Sequence, residues 1–344
     1  MFMLRFTTQF SFPKTFIFTL CYMLTISAFA QNARPVIGQI IRLDPALDAL
    51  LAKDAKIEVL ATGFDWSEGP VWVKSGGYLL FSDVPQNIIY QWHETQGISI
   101  FLKPSGYTGK GKYSNEPGSN GLIINQKEEL VACEHGDRRI SAMPLTTGGK
   151  RTLADQHEGK RFNSPNDIVQ HSSGAYYFTD PPYGLPQNDT DPSRETSVFG
   201  VYKRTTNGQV SLVVANLSRP NGLAFSPDEQ LLYVAQSDPD KAYIMVYKVD
   251  KNGDLDQGKI FFDTTPMVKQ GQIGLPDGLK IDIKGNLWAT GPGGVLIITP
   301  QAKHLGTIST GEATANCAWG NDGSVLYITA DMYLCRIRTL AKGF

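Results

Sequence analysis

Several features that mark common protein classes are scarce in this chain of 344 residues. The net charge is −1, from 32 basic and 33 acidic residues, so neither sign is present in an excess that would favour nucleic acid or an anionic membrane as a partner. After residue 30, no apolar run is long enough to span a bilayer. Hydrophobic residues still make up 41% of the chain, which is enough for a large core and excludes a disordered protein.

Cysteine is also scarce, which excludes a disulfide framework. Only four cysteines occur, and Cys21 lies in an N-terminal segment that we expect to be removed. The other three, Cys133, Cys317 and Cys335, are an odd number and have apolar neighbours. We therefore expect buried thiols, with one bridge at most.

Three catalytic motifs do not occur in the sequence: the Gly-x-Ser-x-Gly nucleophile elbow, the Gly-x-x-x-x-Gly-Lys phosphate loop and the His-Glu-x-x-His zinc helix. These absences argue against serine hydrolases, nucleotide hydrolases and the common zinc proteases. A catalytic site in this chain has to rest on another arrangement.

The first thirty residues have the pattern of an export signal. Arg5 and Lys14 precede a largely apolar segment, residues 15–29, and Ala28-Phe29-Ala30 is the small-x-small pattern that a signal peptidase cleaves. The apolar segment is short for the alternative, a membrane anchor. We expect cleavage after Ala30, no membrane association afterwards, and a periplasmic or secreted protein.

Strand patterns dominate the chain from residue 56 onward. Short β-branched and aromatic runs, such as Tyr78-Leu-Leu-Phe81 and Val325-Leu-Tyr-Ile328, follow Gly, Asn and Asp turns. One brief helix is indicated between Asp44 and Leu51, with Asp44 as cap and Pro45 at the first position. We expect a signal peptide at 1–30, an N-terminal extension with this helix at 31–55, and one all-β domain at 56–344.

A polar tetrad recurs about ten residues before these runs. Its second residue always carries a side-chain oxygen, and the six occurrences are 39 to 56 residues apart. The six residues are Glu68, Asn120, Asn166, Asn221, Asp277 and Asn316. Six such units predict a six-bladed β-propeller. The last unit supplies only three strands, so we expect Lys56–Ala61 to add the fourth and close the ring of blades.

Propeller geometry predicts what the six polar residues do. The inner strand of each blade lines the central tunnel, so residues at its start point toward the axis and form a ring of oxygens at one mouth. Calcium takes six to eight oxygen ligands, whereas zinc prefers the His and Cys that this ring lacks. Calcium is the leading candidate, and magnesium, manganese and zinc are the alternatives. One tetrad alone would be read as a turn, but six in phase favour a metal site.

The same segments resemble a known protein family. The motifs that carry the resemblance, in matching order and spacing, are Glu68-Gly-Pro-Val-Trp72, Arg161-Phe-Asn-Ser-Pro-Asn-Asp167, Pro220-Asn-Gly-Leu223, Leu275-Pro-Asp-Gly-Leu279 and Gly285-Asn-Leu-Trp288. They are similar to the gluconolactonase, regucalcin and senescence-marker-protein family. Phe178-Thr-Asp-Pro-Pro-Tyr-Gly184 and Ala132-Cys-Glu-His-Gly136 further resemble its bacterial gluconolactonase branch. The resemblance covers essentially the whole chain after the signal segment.

This resemblance implies a six-bladed propeller that hydrolyses a small-molecule sugar lactone to an aldonic acid with one divalent metal ion. It implies that Glu68, Asn221 and Asp277 are metal ligands and that Asn166 contacts the ion or the substrate. Arg161 is implied as a substrate-binding residue and Asp277 as the proton donor or acceptor. The ion would polarise the lactone carbonyl, and Asp277 would either deprotonate water or attack directly.

Four more residues are candidates, and two of them have two interpretations each. His135 acts as an acid, a base or a donor to the substrate, or it is a hydrogen-bonded core histidine. Asp180 binds substrate or orients Asn166, or it caps a turn before proline. Asn120 and Asn316 follow from the repeat more than from the family, and we expect them to support the metal ligands from behind.

Two other functions fit the same ring. The ion could serve a related hydrolase that acts on phosphotriesters or other lactones. Alternatively, the ion could be structural in a propeller that only binds partners. The carboxylates of Glu68 and Asp277 favour catalysis, because a structural ion does not need an acidic pair in an open tunnel.

Overall fold

The computed structural model describes residues 2–4, 7–9 and 34–343. Residues 1–33 and 34–344 are two separate units. In the first, residues 2–4 and 7–9 have no regular secondary structure. The remaining residues of the predicted export signal, including its apolar segment and its cleavage site, lie outside the described residues.

Six antiparallel sheets follow one another in the second unit and form the six blades of a β-propeller. We number the blades along the chain and give the strands of each from the tunnel outward. Blade 1 consists of Ser67–Val73, Tyr78–Asp83, Ile88–His93 and Gly97–Leu102. Blade 2 consists of Ser119–Ile124, Glu129–Glu134, Arg139–Pro144 and Arg151–Ala154. Blade 3 consists of Ile168–Gln170, Tyr176–Asp180, Phe199–Arg204 and Val210–Leu217.

The last two blades each take strands from the N-terminal part of the chain. Blade 4 consists of Pro220–Phe225, Leu231–Asp238, Lys241–Lys248 and Lys259–Asp263. Blade 5 consists of Leu279–Ile281, Leu287–Gly291, Gly294–Ile298, His304–Ser309 and Gln39–Arg42. Blade 6 consists of Thr314–Gly320, Val325–Ala330, Tyr333–Arg338, Ile57–Thr62 and Val36–Ile37.

The N-terminal strands differ in detail from the sequence prediction. The strand predicted at Lys56–Ala61 corresponds to Ile57–Thr62, which pairs with Tyr333–Arg338. It does not form the edge of the sheet, because Val36–Ile37 pairs with its other side. The sequence did not predict that Gln39–Arg42 would extend blade 5, since this segment is too short to show a strand pattern of its own.

Helical structure is minor in the described residues. Pro45–Ala49 forms a 3-10 helix within the segment where a brief helix is predicted, and Oδ1 of Asp44 accepts a hydrogen bond from the Ala46 N–H at 2.8 Å. Asn188–Thr190 is a second 3-10 helix and Thr265–Lys269 a single turn of α-helix. A two-stranded hairpin, Gln156–His157 with Lys160–Arg161, lies between blades 2 and 3. None of the helices described is long and apolar enough to cross a membrane.

The hydrophobic core lies between neighbouring blades. Trp72 of blade 1 stacks on Tyr327 of blade 6 with ring centroids 5.4 Å apart, and Tyr177 of blade 3 meets the edge of Phe225 of blade 4 at 5.1 Å. Such aromatic pairs bury large apolar areas and hold the blades in register. Cys133, Cys317 and Cys335 are buried free thiols within this core.

Candidate active site

The six polar residues of the repeat lie at one end of the tunnel, at the start of the six inner strands. Glu68, Asn120 and Asn221 are the second residues of their strands, and Asn316 is the third. Asn166 and Asp277 come two residues before theirs. All are buried except Asp277, which keeps partial solvent access. The predicted ring is therefore assembled from all six blades.

Glycine allows neighbouring members of the ring to approach closely. A Cβ on Gly69 would lie 2.0 Å from the backbone oxygen of Asn120, and a Cβ on Gly222 would lie 2.3 Å from that of Asp277. No side chain fits at such distances, since both obstacles are backbone atoms. The glycine after a ring residue is thus the contact point with the ring residue of the next blade.

Asn316 connects two carboxylates at the end of the tunnel where the ring lies. Its Nδ2 donates a hydrogen bond to Oε2 of Glu68 at 3.3 Å and to Oδ2 of Asp167 at 3.4 Å. Its Oδ1 accepts from the backbone N–H of Cys317 at 2.9 Å, which fixes the orientation of the amide. Asn316 thus contacts Glu68 directly, and its role in supporting a metal ligand stays a prediction.

Asp167 is not among the predicted site residues, although the sequence contains a signal for it. The third position of the tetrad is glycine in four of the six units, whereas it is Asp167 in the third unit and Cys317 in the sixth. The Asp167 carboxylate takes the space that glycine leaves open, because a Cβ on Gly121 would lie 2.6 Å from its Oδ1. A charged residue at a position that is glycine in four of the six units indicates a specific role.

The carboxylates at this end raise one another's pKa. Burial, together with the charges of Asp167 and Glu116, raises the pKa of Glu68 to about 8. Burial and the charges of Glu68, Asp167 and Glu116 raise the pKa of Asp277 well above its usual range, and the nearby Asn221 side chain counters part of this rise. Burial also raises the pKa of Asp167, which Lys280 opposes. Such a cluster of acids favours the approach of a cation.

Three oxygens of the ring are buried and have no hydrogen-bond partner among the described residues. They are Oδ1 of Asn120, Oδ1 of Asn166 and Oδ1 of Asp277. An unpaired buried acceptor costs about 1–3 kcal/mol, so three at equivalent positions of three blades need a common explanation. Oxygen atoms are the ligands that hard divalent cations prefer, and this donor set fits such an ion.

The amides are essential to this interpretation. Within the described ranges, no three His, Cys, Asp or Glu side chains converge closely enough to hold a metal by themselves. A cation in this ring would therefore depend on asparagine oxygens as well as on carboxylates, which is compatible with calcium and unlike a zinc site.

His135 is placed where it can orient Asn166. It is fully buried, and its Nδ1 lies 3.1 Å from the backbone oxygen of Glu116. Nδ1 therefore carries the ring proton and donates a hydrogen bond to that oxygen. Nε2 is then an acceptor that faces Nδ2 of Asn166 at 3.5 Å, which leaves Oδ1 of Asn166 free for the ring. Burial lowers the pKa of His135 to about 4, so the imidazole is neutral near pH 7.

Glu116 lies close to the ring, although no motif in the sequence points to it. It lies in the long loop between blades 1 and 2, and its Oε2 is 4.0 Å from Nδ1 of His135. Its charge contributes to the raised pKa of both Glu68 and Asp277, and burial raises its own pKa to about 7. No repeat or motif marks a residue in a loop, since the path of the loop is set by tertiary contacts.

Arg161 and Asp180 lie away from the ring itself. Arg161 is exposed in the hairpin between blades 2 and 3, and its Nη2 donates to the backbone oxygen of Asp137 at 3.0 Å. Asp180 is fully buried, and its two oxygens accept from the backbone N–H groups of Asn163 and Ser164, both at 2.8 Å. Asp180 thus holds the turn that leads to Asn166, and both roles named for it stay predictions.

The fold and the site define the class of this protein. It is a six-bladed β-propeller with a ring of acids and amides at one mouth of the tunnel. Residues 66–331 match the family model described as the SMP-30/Gluconolactonase/LRE-like region. The chain belongs to this family. The match spans the inner strands of all six blades, and therefore all six ring residues.

Relatives and solved structures of this family resemble the chain over most of its length. It is 43% identical over 336 residues to a gluconolactonase of Zymomonas mobilis, covering 93% of this chain and 92% of that one. The solved structure of a gluconolactonase of Xanthomonas campestris is 30% identical with a TM-score of 0.78, covering 89% and 98% of the two chains. A calcium-binding regucalcin of Agrobacterium tumefaciens, 20% identical with a TM-score of 0.65 and covering 83% and 94%, shares the fold.

Proposed function

We propose that this protein hydrolyses sugar lactones of the gluconolactone type and that it does so with a divalent cation, calcium foremost, in the ring of the six tetrads. It is an enzyme of the lactonase type. The observation that carries the proposal is the set of unpaired buried oxygens on Asn120, Asn166 and Asp277 next to acids with raised pKa. The names of the relatives supply the substrate class, a small-molecule sugar lactone.

Glu68, Asn166, Asn221 and Asp277 would hold the ion, and the unpaired oxygen of Asn120 supports this residue as a further candidate. Asn316 would act from behind by holding Oε2 of Glu68. When bound, a divalent ion supplies positive charge that polarises the lactone carbonyl and stabilises the negative charge that develops on its oxygen. Magnesium, manganese and zinc are the alternative ions to calcium.

Asp277 is the group that moves the proton. It is the only ring residue with partial solvent access, and we therefore assign the contact with water and substrate to its side chain. The Asp277 carboxylate takes a proton from the water whose oxygen bonds to the carbonyl carbon. The bond from that carbon to the ring oxygen then breaks, and Asp277 returns the proton to the leaving oxygen. The product is the open-chain aldonic acid.

Of the other polar groups, two position Asn166 and one contacts the substrate. His135 is neutral and holds the Asn166 amide, so it acts on the site through Asn166. Asp180 fixes the turn before Asn166 in the same way. Arg161 is exposed at the rim and offers its remaining guanidinium donors to substrate hydroxyls.

A panel of substrates tests the activity. Gluconolactone, an aromatic lactone and a phosphotriester are assayed with and without a chelator, in wild type and in Asp277→Ala. Asp254→Ala, which removes an exposed acid of an outer hairpin, is the matched control. We expect wild type to hydrolyse gluconolactone fastest and to lose this activity when the chelator is added. Asp277→Ala should also lose the activity, whereas Asp254→Ala should keep it. Full activity in Asp277→Ala refutes the assigned role, and a preference for the phosphotriester refutes the substrate class.

We also propose that the protein works outside the cytoplasm, in the periplasm or after secretion, as a propeller domain at 56–344 behind an N-terminal extension at 31–55. The support is the export pattern of residues 1–30. N-terminal sequencing of the protein recovered from a bacterial periplasm tests this. A mature chain that begins at Gln31 is the expected result, and an intact N-terminus on cytoplasmic protein contradicts it.

A further inference from the structure

The loop between blades 1 and 2, residues 103–118, encloses a cavity that the proposed reaction does not use. Its volume is about 370 Å³, and its lining includes Asn87, Tyr107, Tyr113, Ser114 and Pro117. Ligand pockets in proteins begin at about 300 Å³. The cavity is therefore of a size that a small molecule can occupy.

Hydrogen bonds hold the base of this loop in one conformation. Oδ1 of Asn87 accepts from the N–H groups of Gly106 at 2.7 Å and Tyr107 at 3.1 Å, and its Nδ2 donates to the Tyr107 oxygen at 2.9 Å. On the other side, Oδ1 of Asp137 accepts from the Thr108 N–H at 3.0 Å. Because the base of the loop is fixed in advance, a ligand would lose little free energy in ordering that part of the cavity.

The chemistry of the lining suits a carbohydrate. The rings of Tyr107 and Tyr113 stack with centroids 5.0 Å apart and an angle of 23°, and both residues are half-buried. Oγ of Ser114, a residue that is only 6% exposed, has no hydrogen-bond partner among the described residues. A sugar ring offers an apolar C–H face to an aromatic side chain and hydroxyl groups to an unpaired hydroxyl.

One residue separates this cavity from the ring of acids. Asn115 and Pro117 line the cavity, whereas Glu116 between them turns the other way, with Oε2 4.0 Å from Nδ1 of His135. The charge of Glu116 also acts on Glu68 and Asp277. The cavity and the proposed reaction site thus lie on the two sides of the same short stretch of loop.

We propose that this cavity is a subsite for a second sugar ring and that the preferred substrates are lactones of disaccharide acids. The inference rests on the proposed lactone hydrolysis and names its substrate class more closely. The lactone ring occupies the tunnel mouth, and the second sugar lies across the loop, against Tyr113 and Ser114. A monosaccharide lactone reacts at the same ring of acids without these contacts.

Two lactones test the subsite: the δ-lactone of gluconic acid and that of cellobionic acid. Their kcat/KM values are measured for wild type, Tyr113→Ala, Tyr113→Phe and Ser114→Ala, with Ser99→Ala on the exposed outer strand of blade 1 as control. We expect wild type to prefer the disaccharide lactone. Tyr113→Ala and Ser114→Ala should lower kcat/KM for that lactone about tenfold and leave gluconolactone within about twofold. Tyr113→Phe keeps the aromatic face and should retain most of the preference.

The outcomes separate this inference from the proposed function. If wild type hydrolyses gluconolactone but shows no preference, or if the variants slow both lactones equally, the subsite is refuted and the lactonase activity stands. If wild type hydrolyses neither lactone, the proposed function fails, and calorimetric titration with cellobionate tests the subsite by itself. Binding of cellobionate to wild type but not to Tyr113→Ala supports the subsite. Absence of binding to wild type refutes the subsite.

Discussion

Nδ2 of Asn316, in the last blade, donates a hydrogen bond at 3.3 Å to Oε2 of Glu68, in the first blade. The two residues are 248 positions apart in the sequence, so this contact forms only when the propeller has closed. Closure of the fold therefore brings a proposed metal ligand together with the amide that orients it.

Replacing Asn316 with alanine should weaken metal binding without unfolding the protein. Glu68 and Asp167 lose the amide that connects them, and loss of such a supporting contact costs about 10–100-fold in metal affinity. Calorimetric titration of calcium into the chelator-treated variant measures this, with the exposed Asn252→Ala as control. An unchanged affinity in Asn316→Ala would show that the contact has no functional role.

Replacing Asn120 with alanine tests the unpaired oxygens. If Oδ1 of Asn120 is a ligand, the variant should bind calcium more weakly, and calcium should raise its Tm by less than it raises that of wild type. Differential scanning calorimetry with and without calcium gives both values, and Asn207→Ala, an exposed amide on blade 3, is the control. Equal calcium-dependent shifts of Tm in wild type and Asn120→Ala would show that this oxygen does not contact the ion.

The repeat made the ring residues predictable from the sequence. Glu68, Asn221 and Asp277 belong to tetrads in phase with the strand runs, and strand period and turn residues are local properties of a sequence. Asp167 was within reach too, because it replaces a glycine of the repeat. The same local signals indicated six blades.

The parts that were not predictable depend on long-range contacts. Glu116 reaches the acids through a loop without periodicity, and Gln39–Arg42 joins blade 5 by pairing with a strand more than 260 positions later. Arg161 and Asp180 carry the right chemistry in the sequence, yet the structure places them at the rim and beneath a turn. No spacing rule reveals which way a loop crosses a tunnel mouth.

Replacing Gly222 with alanine should destabilise the fold and disturb the site together. The new Cβ would lie 2.3 Å from the backbone oxygen of Asp277, so blade 5 has to shift, at a cost of about 1–3 kcal/mol. Gly291→Ala is the control, because its Cβ would meet only the flexible side chain of Leu296, at 3.1 Å. Urea unfolding compares the two. Equal stability of both variants contradicts the close contact between ring residues.

The ion pair between Glu129 and Arg151 should give a pH-dependent contribution to stability. The hydrogen bond from Arg151 lowers the pKa of Glu129 from 4.5 to about 2. The folded state thus prefers the ionised acid, so the contribution is complete above about pH 4.5 and is lost as the pH falls through about 2. Because Arg151 is 47% exposed, solvent screening limits the effect to about 1 kcal/mol.

Glu129→Gln measures this contribution at the end of blade 2 opposite the ring. The difference in unfolding free energy between wild type and variant should be constant from pH 8 to pH 5 and should decrease below about pH 4.5. Urea unfolding at several pH values follows it. A difference that persists undiminished at the lowest pH would show that the charge of Glu129 is not its source.

The most direct test of the metal-dependent ring is a calcium titration of chelator-treated wild type and Glu68→Gln, followed by the rate of gluconolactone hydrolysis. In wild type, activity should return in proportion to the binding of one calcium ion per chain, and Glu68→Gln should need far more calcium for the same return. Full hydrolysis by the metal-free wild-type protein would contradict the account.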